Sequence, residues 1–134
     1  MGSTLTSNSV ESELATPRER KTLIFFVGTD PEVDPGPLQT AQHFAATAAG
    51  AGLAAELRLA ARSVRKVGDI PAQPQGVDVT VCPRAMEKYG ISRDQVEAIG
   101  ARSRTLVEIL TEVAEGTSVL IPITHSIDDP QTEA

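Results

Sequence analysis

The run TLIFFVG at residues 22–28 is the feature that most limits the folds open to this chain. Its residues are apolar almost throughout, and most of them are β-branched or aromatic. A strand covered on one face alternates apolar and polar residues, whereas a strand covered on both faces is continuously apolar. The run therefore predicts a strand inside a sheet that has helices on both faces, which is typical of parallel α/β folds.

The segments that follow predict helices and further strands. The loop TDPEVDPGP comes next, and Pro37 suits the first turn of a helix. Over LQTAQHFAATAAGAG, helical spacing gives one apolar face and a stop at Gly50 or Gly52. That face consists of Leu38, Ala41, Ala45, Ala48 and Ala49. The pattern predicts a helix that packs on the sheet.

The second half of the chain continues the alternation. LAAELRLA at residues 53–60 alternates and predicts a second strand that is half exposed or covered by a polar element. ARSVRKVG predicts a short helix or loop. VDVTV predicts a third strand, PRAMEKYG a short helix closed by Gly90, and VEAIG a short fourth strand. SRTLVEILTEVAEG predicts a helix from an N-cap at Ser103 to Gly116, and SVLIPI a last strand that Pro122 ends or places at an edge.

This order predicts a single-domain α/β fold with a mostly parallel five-stranded sheet and helices on both faces. A chain of 134 residues is long enough for one such core. Residues 1–20 are rich in Ser, Thr and Glu without periodicity, so we expect them to be disordered. The domain is expected to span residues 21–124, and residues 125–134 to form a flexible acidic tail.

Composition and charge exclude several classes of protein. The net charge of −6 argues against a nucleic-acid binder, which needs a basic surface. Aromatic residues make up only 3% of the chain, so its core must consist of small aliphatic residues, which favours burial by oligomerisation. No apolar run approaches the length of a membrane span, and the N-terminal residues lack the apolar segment of a signal peptide. The expected location is the cytoplasm.

Three segments are expected to meet at the carboxyl edge of the sheet, where parallel α/β folds place their ligands. They are the loop after the first strand, the basic segment after the second strand, and the residues after the third strand. The candidate residues are Gly28, Thr29, Asp30 and Asp34 in the loop, Arg62, Arg65 and Lys66 in the basic segment, and Cys82 with Arg84 after the third strand.

Cys82 is the only cysteine, which excludes an internal disulfide or a dithiol centre. It ends the third strand, and Pro83 suits the first position of a helix, so Cys82 is placed near a helix N-cap. The unpaired amides there favour an anion and hence a nucleophilic thiolate, and Arg84 adds positive charge. Alternatively, Cys82 is a small buried hydrophobic residue, as most lone cysteines are. The sequence leaves both interpretations open.

Several segments of the chain resemble the DsrE/DsrF-like (YchN-like) family. They include residues 22–60 and VDVTVCPRAMEKYGI, followed by VEAIGARSRTLVEIL and SVLIPI. The resemblance implies a small α/β domain that forms trimers or hexamers. It also implies that Cys82 is a persulfide carrier, a sulfurtransferase-like relay between donor and acceptor proteins.

In that reading, Arg84 and the segment with Arg62, Arg65 and Lys66 stabilise the thiolate or persulfide. Without a second cysteine, the chain suits a carrier better than a reductase. The alternative is a non-catalytic oligomeric binding module of the same fold, with a small anionic ligand or a protein partner in its edge pocket.

Other site motifs are incomplete. A phosphatase loop needs Arg six residues after the cysteine, where this chain has Lys88. A calcium loop starting at Asp30 would need Gly and Glu where Pro35 and Ala41 stand. His43 and His125 lack further zinc ligands, and no nucleotide-binding motif occurs. We therefore expect neither a metal nor a cofactor.

Overall fold

The computed structural model describes residues 21–126, so the predictions for 1–20 and 127–134 lie outside the described residues. One sheet contains the strands β1 (Thr22–Val27), β2 (Ala55–Leu59), β3 (Val77–Val81), β4 (Arg102–Ser103) and β5 (Ser118–Pro122). Their order is β4–β3–β2–β1–β5, and every neighbouring pair is parallel. The predicted five-stranded parallel sheet is confirmed, with β5 at an edge as Pro122 indicated.

The helices connect successive strands. They are α1 (Gly36–Gly50), α2 (Pro83–Tyr89), α3 (Arg93–Ala98) and α4 (Leu106–Glu115), and the segment Ala61–Asp69 forms 3-10 turns with a kink at Lys66. Pro37 lies in the first turn of α1, and Gly90 ends α2 in the left-handed conformation, both as predicted. None of the helices within residues 21–126 has the length and apolarity needed to cross a membrane.

The predicted fourth strand at VEAIG is wrong, because this segment belongs to α3 and the turn after it. The Ser92 hydroxyl accepts a hydrogen bond from the Gln95 amide at 3.1 Å, and the Gln95 side chain accepts one from the Ser92 amide at 2.8 Å. This reciprocal pair is a capping box, which starts a helix. Strand β4 comes later, and the N-cap of α4 is Thr105 rather than Ser103.

Of the two alternatives predicted for the second strand, half exposed or covered by a polar element, the half-exposed one is wrong. All five residues of β2 are buried, because β2 lies between β1 and β3 in the middle of the sheet. Leu57 and Leu59 belong to the aliphatic core on the face that α1 covers. The alternation places Glu56 and Arg58 on the opposite face, so that two charged residues lie inside the protein.

The aliphatic core is thin, as the shortage of aromatic residues predicted. Ala41, Ala45 and Ala48 of α1 pack against the sheet, and their short side chains bring the helix close to the strands.

Ser63 fixes the segment that follows β2. Its hydroxyl oxygen lies 2.7 Å from the carbonyl of Val27 and accepts a hydrogen bond from the Ala60 amide at 2.9 Å. The ends of β1 and β2 are thereby tied together at the carboxyl edge.

Candidate functional site

Cys82 lies at the carboxyl edge of the sheet, directly after β3 and before the first residue of α2. Its amide donates to the carbonyl of Leu59 at 3.1 Å, and its carbonyl accepts from the Met86 amide at 2.9 Å. The backbone is therefore held by both β2 and α2. The side chain is a free thiol of intermediate exposure. Its partial exposure means that the sulfur is not sealed inside the core.

An open cleft of about 520 Å³ contains this thiol. Its lining residues are Ala61, Cys82, Arg84, Ala85, Glu87, Lys88 and Tyr89. Arg84 and Lys88 are exposed cations, and Glu87 is the one carboxylate of the lining. The cleft thus combines a thiol with a local excess of positive charge, although the whole chain is acidic.

The side of this cleft opposite α2 is formed by Ala61, which has an unusual backbone conformation. Its φ is +50°, in the left-handed region that L-residues other than glycine seldom adopt. The predicted site residue Gly28 lies beside it, since a Cβ placed on Gly28 would be 3.9 Å from the Cβ of Ala61. The loop after β1 thus reaches the neighbourhood of the cleft through Gly28.

Arg65 and Lys66 lie in an ion-pair cluster rather than in the lining of the Cys82 cleft. Arg65 binds Asp30 at 2.9 Å and Glu32 at 2.7 Å, so that Asp30 from the predicted site also belongs to this cluster. Lys66 lies 3.4 Å from Asp69 and 3.8 Å from Glu32. These cations are neutralised by neighbouring carboxylates, and they fix the loop after β1 to the segment after β2.

The three remaining predicted residues have different surroundings. Asp34 accepts a hydrogen bond from the Gly36 amide at 3.0 Å and so shapes the entry into α1. Thr29 has a buried hydroxyl without a hydrogen-bond partner among residues 21–126. Arg62 is exposed on the segment after β2. Of the predicted set, Cys82 and Arg84 are therefore the two that share one cleft.

A buried charged network occupies the face of the sheet opposite α1. Arg104 lies 2.8 Å from Glu56, with 7% and 3% of the two side chains exposed. The Thr80 hydroxyl donates to the other oxygen of Glu56 at 2.6 Å, and Arg104 also pairs with Glu112 of α4. Burial acts to lower the pKa of Arg104, but the hydrogen bond to Glu112 and the charge of Glu56 raise it above its ordinary value.

Arg58 completes this network and has no exposed surface. Its Nη1 donates to the carbonyl of Arg104 at 2.5 Å and reaches the hydroxyl of Thr80 at 3.5 Å. Within the described part of the chain, its Nε and Nη2 have no hydrogen-bond partner. Burial lowers the pKa of Arg58, and the acidic groups that oppose this effect are Cys82 first and then Glu56.

Glu56, Arg104 and the role of Arg58 were not predicted from the sequence. The pattern that indicates Glu56 and Arg58 is AELRL, in which two charged residues alternate with leucines. On a half-exposed strand the charges would face water, so the segment looked ordinary. Because β2 lies in the centre of the sheet, the same alternation buries both charged residues.

A metal site is not indicated by the described side chains. Residues 21–126 contain no group of three or more His, Cys, Asp or Glu side chains that could hold a metal ion. The polar groups of the cleft lining are the Cys82 thiol, the cations Arg84 and Lys88, the Glu87 carboxylate and the Tyr89 hydroxyl.

Comparison with known proteins bears on the fold. Neither a protein-family model nor a curated protein matches the sequence. A conserved protein of unknown function from Bacteroides thetaiotaomicron is similar in structure, with a TM-score of 0.59, 16% identity, and coverage of 77% of this chain and 95% of that chain. The YchN protein from E. coli has a TM-score of 0.56 and 18% identity, covering 78% of this chain and 99% of that chain. Sequence identities this low show a shared fold alone. The resemblance is confirmed for the fold: this chain has the YchN-like α/β fold.

Proposed function

We propose that the protein is a sulfur-relay carrier, in which Cys82 holds one sulfur atom as a persulfide and passes it between partner molecules. The observation that supports this most directly is the position of the thiol. The only cysteine of the chain is partly exposed in an open cleft at the carboxyl edge of a parallel sheet. A cysteine that served packing alone would be enclosed by aliphatic side chains.

The transfer needs no oxidant or reductant. The Cys82 thiolate attacks the outer sulfur of a donor persulfide, R–S–SH. The new bond joins Cys82 Sγ to that sulfur, the donor's S–S bond breaks, and the donor leaves as a thiolate. In the second step an acceptor thiolate attacks the outer sulfur of Cys82–S–SH, and Cys82 returns to the thiolate. Each step exchanges one S–S bond for another.

The surroundings of Cys82 suit this sulfurtransferase-like role. Arg84 and Lys88 line the same cleft and favour a bound anion. With a single cysteine, the chain cannot displace the persulfide sulfur by a second thiol of its own. The sulfur must therefore leave to another molecule, which calls for donor and acceptor proteins as partners.

We also propose a location and an oligomeric state. A thiol that must stay reduced suits the cytoplasm. The family resemblance favours a homo-oligomer, either a trimer or a hexamer, in which the thin aliphatic layers gain additional burial.

Sulfur uptake measured by mass spectrometry tests the proposal. The purified protein is incubated with a low-molecular-weight persulfide, desalted, and measured intact with and without a thiol reductant. We expect the mass of one added sulfur atom on the wild-type protein and its loss after reduction. A peptide carrying one cysteine, added after desalting, should then gain the sulfur.

Cys82→Ser is the matched control and should remain unmodified. If the wild-type protein takes up no sulfur while a small thiol in the same tube does, the relay proposal fails. The non-catalytic binding module of the same fold would then be the better description of the cleft.

A further inference from the structure

We propose that Arg58 is the positioning residue of Cys82, and that its buried guanidinium holds the Cys82 sulfur as an anion. The part of this inference that concerns the persulfide rests on the proposed function. The part that concerns the thiolate does not, because it depends only on the arrangement of the two side chains.

The buried guanidinium of Arg58 has donors that no described residue uses. A guanidinium carries five N–H donors, and Arg58 uses those of Nη1 for the Arg104 carbonyl and the Thr80 hydroxyl. Its Nε and Nη2 are buried without a partner in the described residues. Burial of a charged group is costly unless the group is paired and hydrogen-bonded. The donors of Arg58 therefore mark a place where an anion or a strong acceptor binds.

The carboxylates near Arg58 already accept hydrogen bonds from other residues. One oxygen of Glu56 accepts from Arg104 and the other accepts from Thr80. Glu112 pairs with Arg104 and accepts from Ser118 at 2.8 Å. The hydrogen-bond partners of Arg58 itself are neutral oxygens. Among residues 21–126, its positive charge thus has no carboxylate within hydrogen-bonding distance.

The position of Cys82 relative to this guanidinium also supports the proposal. Arg58 is paired in register with Thr80, and Cys82 follows Thr80 by two residues, on the same side of an extended chain. The Arg104 amide donates to the carbonyl of Val81 at 3.1 Å, so the Arg104 carbonyl that holds Arg58 lies beside the end of β3. The side chain of Cys82 is therefore placed on the same face of the sheet as the guanidinium of Arg58, and Cys82 lines the open cleft.

Other charged groups nearby must be separated from Arg58 in any test. The titratable and charged groups around Cys82 and Arg58 are Glu56 from β2, Arg104 and Glu108 from the start of α4 and the residues before it, and Arg84, Glu87, Lys88 and Tyr89 from α2. Salt screens the exposed groups of α2, whereas it has little effect on a buried charge.

The pH profile of thiol alkylation tests the inference. The rate at which iodoacetamide modifies Cys82 is measured against pH for the wild-type protein, Arg58→Met, Arg58→Lys and Arg84→Met. Loss of a cation close to a thiolate raises the midpoint of this profile, so we expect an upward shift of about 1–3 pH units in Arg58→Met. Arg58→Lys keeps the charge and should recover part of the shift.

Arg84→Met removes an exposed cation of the same cleft, and its midpoint should rise by less than that of Arg58→Met, because solvent screens an exposed charge. Circular dichroism and thermal melting verify that each variant is folded. An unchanged midpoint in a folded Arg58→Met protein would overturn the inference.

The wild-type protein provides a test that does not depend on the folding of a variant. Raising the salt from about 0.1 M to about 1 M shortens the Debye length from ~10 Å to ~3 Å. If Arg58 holds the sulfur, the alkylation midpoint stays constant. If it rises with salt by half a unit or more, the exposed cations of α2 dominate and the inference is wrong.

The two proposals fail in different ways. A shifted profile in Arg58→Met, together with no sulfur uptake by the wild-type protein, would end the relay function but keep Arg58 as the partner of the thiolate. Sulfur uptake by the wild-type protein, together with identical profiles for the wild-type and Arg58→Met proteins, would end the role of Arg58 and keep the relay.

Discussion

Nη1 of Arg104 lies 2.8 Å from a carboxylate oxygen of Glu56, and both side chains are almost completely buried. The two residues come from the central strand β2 and from the segment between β4 and α4. Because a buried charge is stable only beside its partner, the pair fixes that segment against the middle of the sheet.

Removal of one charge of this pair should be strongly destabilising. In Glu56→Gln, the guanidinium of Arg104 loses its buried carboxylate, and we expect the free energy of unfolding to fall by about 3–5 kcal/mol. Urea unfolding with a constant m-value measures this change.

An exposed pair on the same face of the sheet serves as the control. Arg102 lies 2.6 Å from Asp78, but 56% and 45% of the two side chains are exposed. Asp78→Asn should therefore cost less than about 1 kcal/mol. If both variants lost equal stability, burial would not be what gives the Glu56–Arg104 pair its importance.

Ser63→Ala should weaken the carboxyl edge next to the cleft. The hydroxyl is fully buried, and its loss removes its hydrogen bonds with the Ala60 amide and the Val27 carbonyl, while the amide keeps the Val27 carbonyl as an acceptor at 3.0 Å. The loss of a net hydrogen bond costs about 0.5–1.5 kcal/mol, which thermal or urea unfolding will detect. Thr111→Ala, which removes an exposed hydroxyl 2.8 Å from the Val107 carbonyl on α4, should change stability by less than about 0.5 kcal/mol.

Ala61→Gly is expected to stabilise the protein. The left-handed conformation of Ala61 costs about 1–2 kcal/mol, and the greater flexibility of glycine in the unfolded chain offsets about 0.5–1 kcal/mol of this gain. The net increase in the free energy of unfolding should be roughly 0.5–1 kcal/mol. Ala46→Gly, at a half-buried position inside α1, should show the opposite sign with a loss of about 1 kcal/mol. A loss of stability in both variants would contradict the strain at Ala61.

Stability should fall on acidification, partly because of two glutamates of α4. The hydrogen bond from Arg104 lowers the pKa of Glu112, and the hydrogen bond from the Thr105 amide lowers the pKa of Glu108, each from an ordinary value of 4.5. Since the unfolded chain then binds more protons, both glutamates stabilise the fold above pH 4.5 and lose that effect as the pH falls through their folded pKa values. Unfolding measured against pH should show this decline.

Glu112→Gln should flatten that decline, with lower stability at neutral pH and a smaller loss on acidification. Ser118→Ala, which removes a second hydrogen bond to Glu112, should produce the same change to a smaller extent. A slope identical to that of the wild-type protein in both variants would exclude Glu112 as a source of the pH dependence.

The architecture was predictable because its signals are local. The apolar run of β1, the Ala-rich face of α1 and the left-handed Gly90 each specify their own element, and alternating strands and helices imply a parallel sheet. VEAIG failed because three apolar residues in five fit a short strand as well as a helix turn. The deciding signal was the capping pair Ser92 and Gln95, which precedes the apolar residues.

The candidate site was predictable only in part. Cys82 and Arg84 are adjacent in the sequence, so a local pattern brings them together. Arg65 and Lys66 were expected beside them, but the acidic loop after β1 offers closer partners, and such pairing cannot be deduced from spacing along the chain. The burial of Arg58 follows from the central position of β2 in the sheet, which spacing along the chain does not reveal.

Arg104 has three attachments: one nitrogen binds Glu56, another binds Glu112, and its main-chain carbonyl holds Arg58. For protein engineering, residues 101–105 are therefore not an interchangeable connection. A loop grafted there from another protein of this architecture would remove the neutralising partner of Glu56 and the carbonyl that holds Arg58 at the same time. Redesign of this edge has to exchange residues 56, 58 and 104 as one unit.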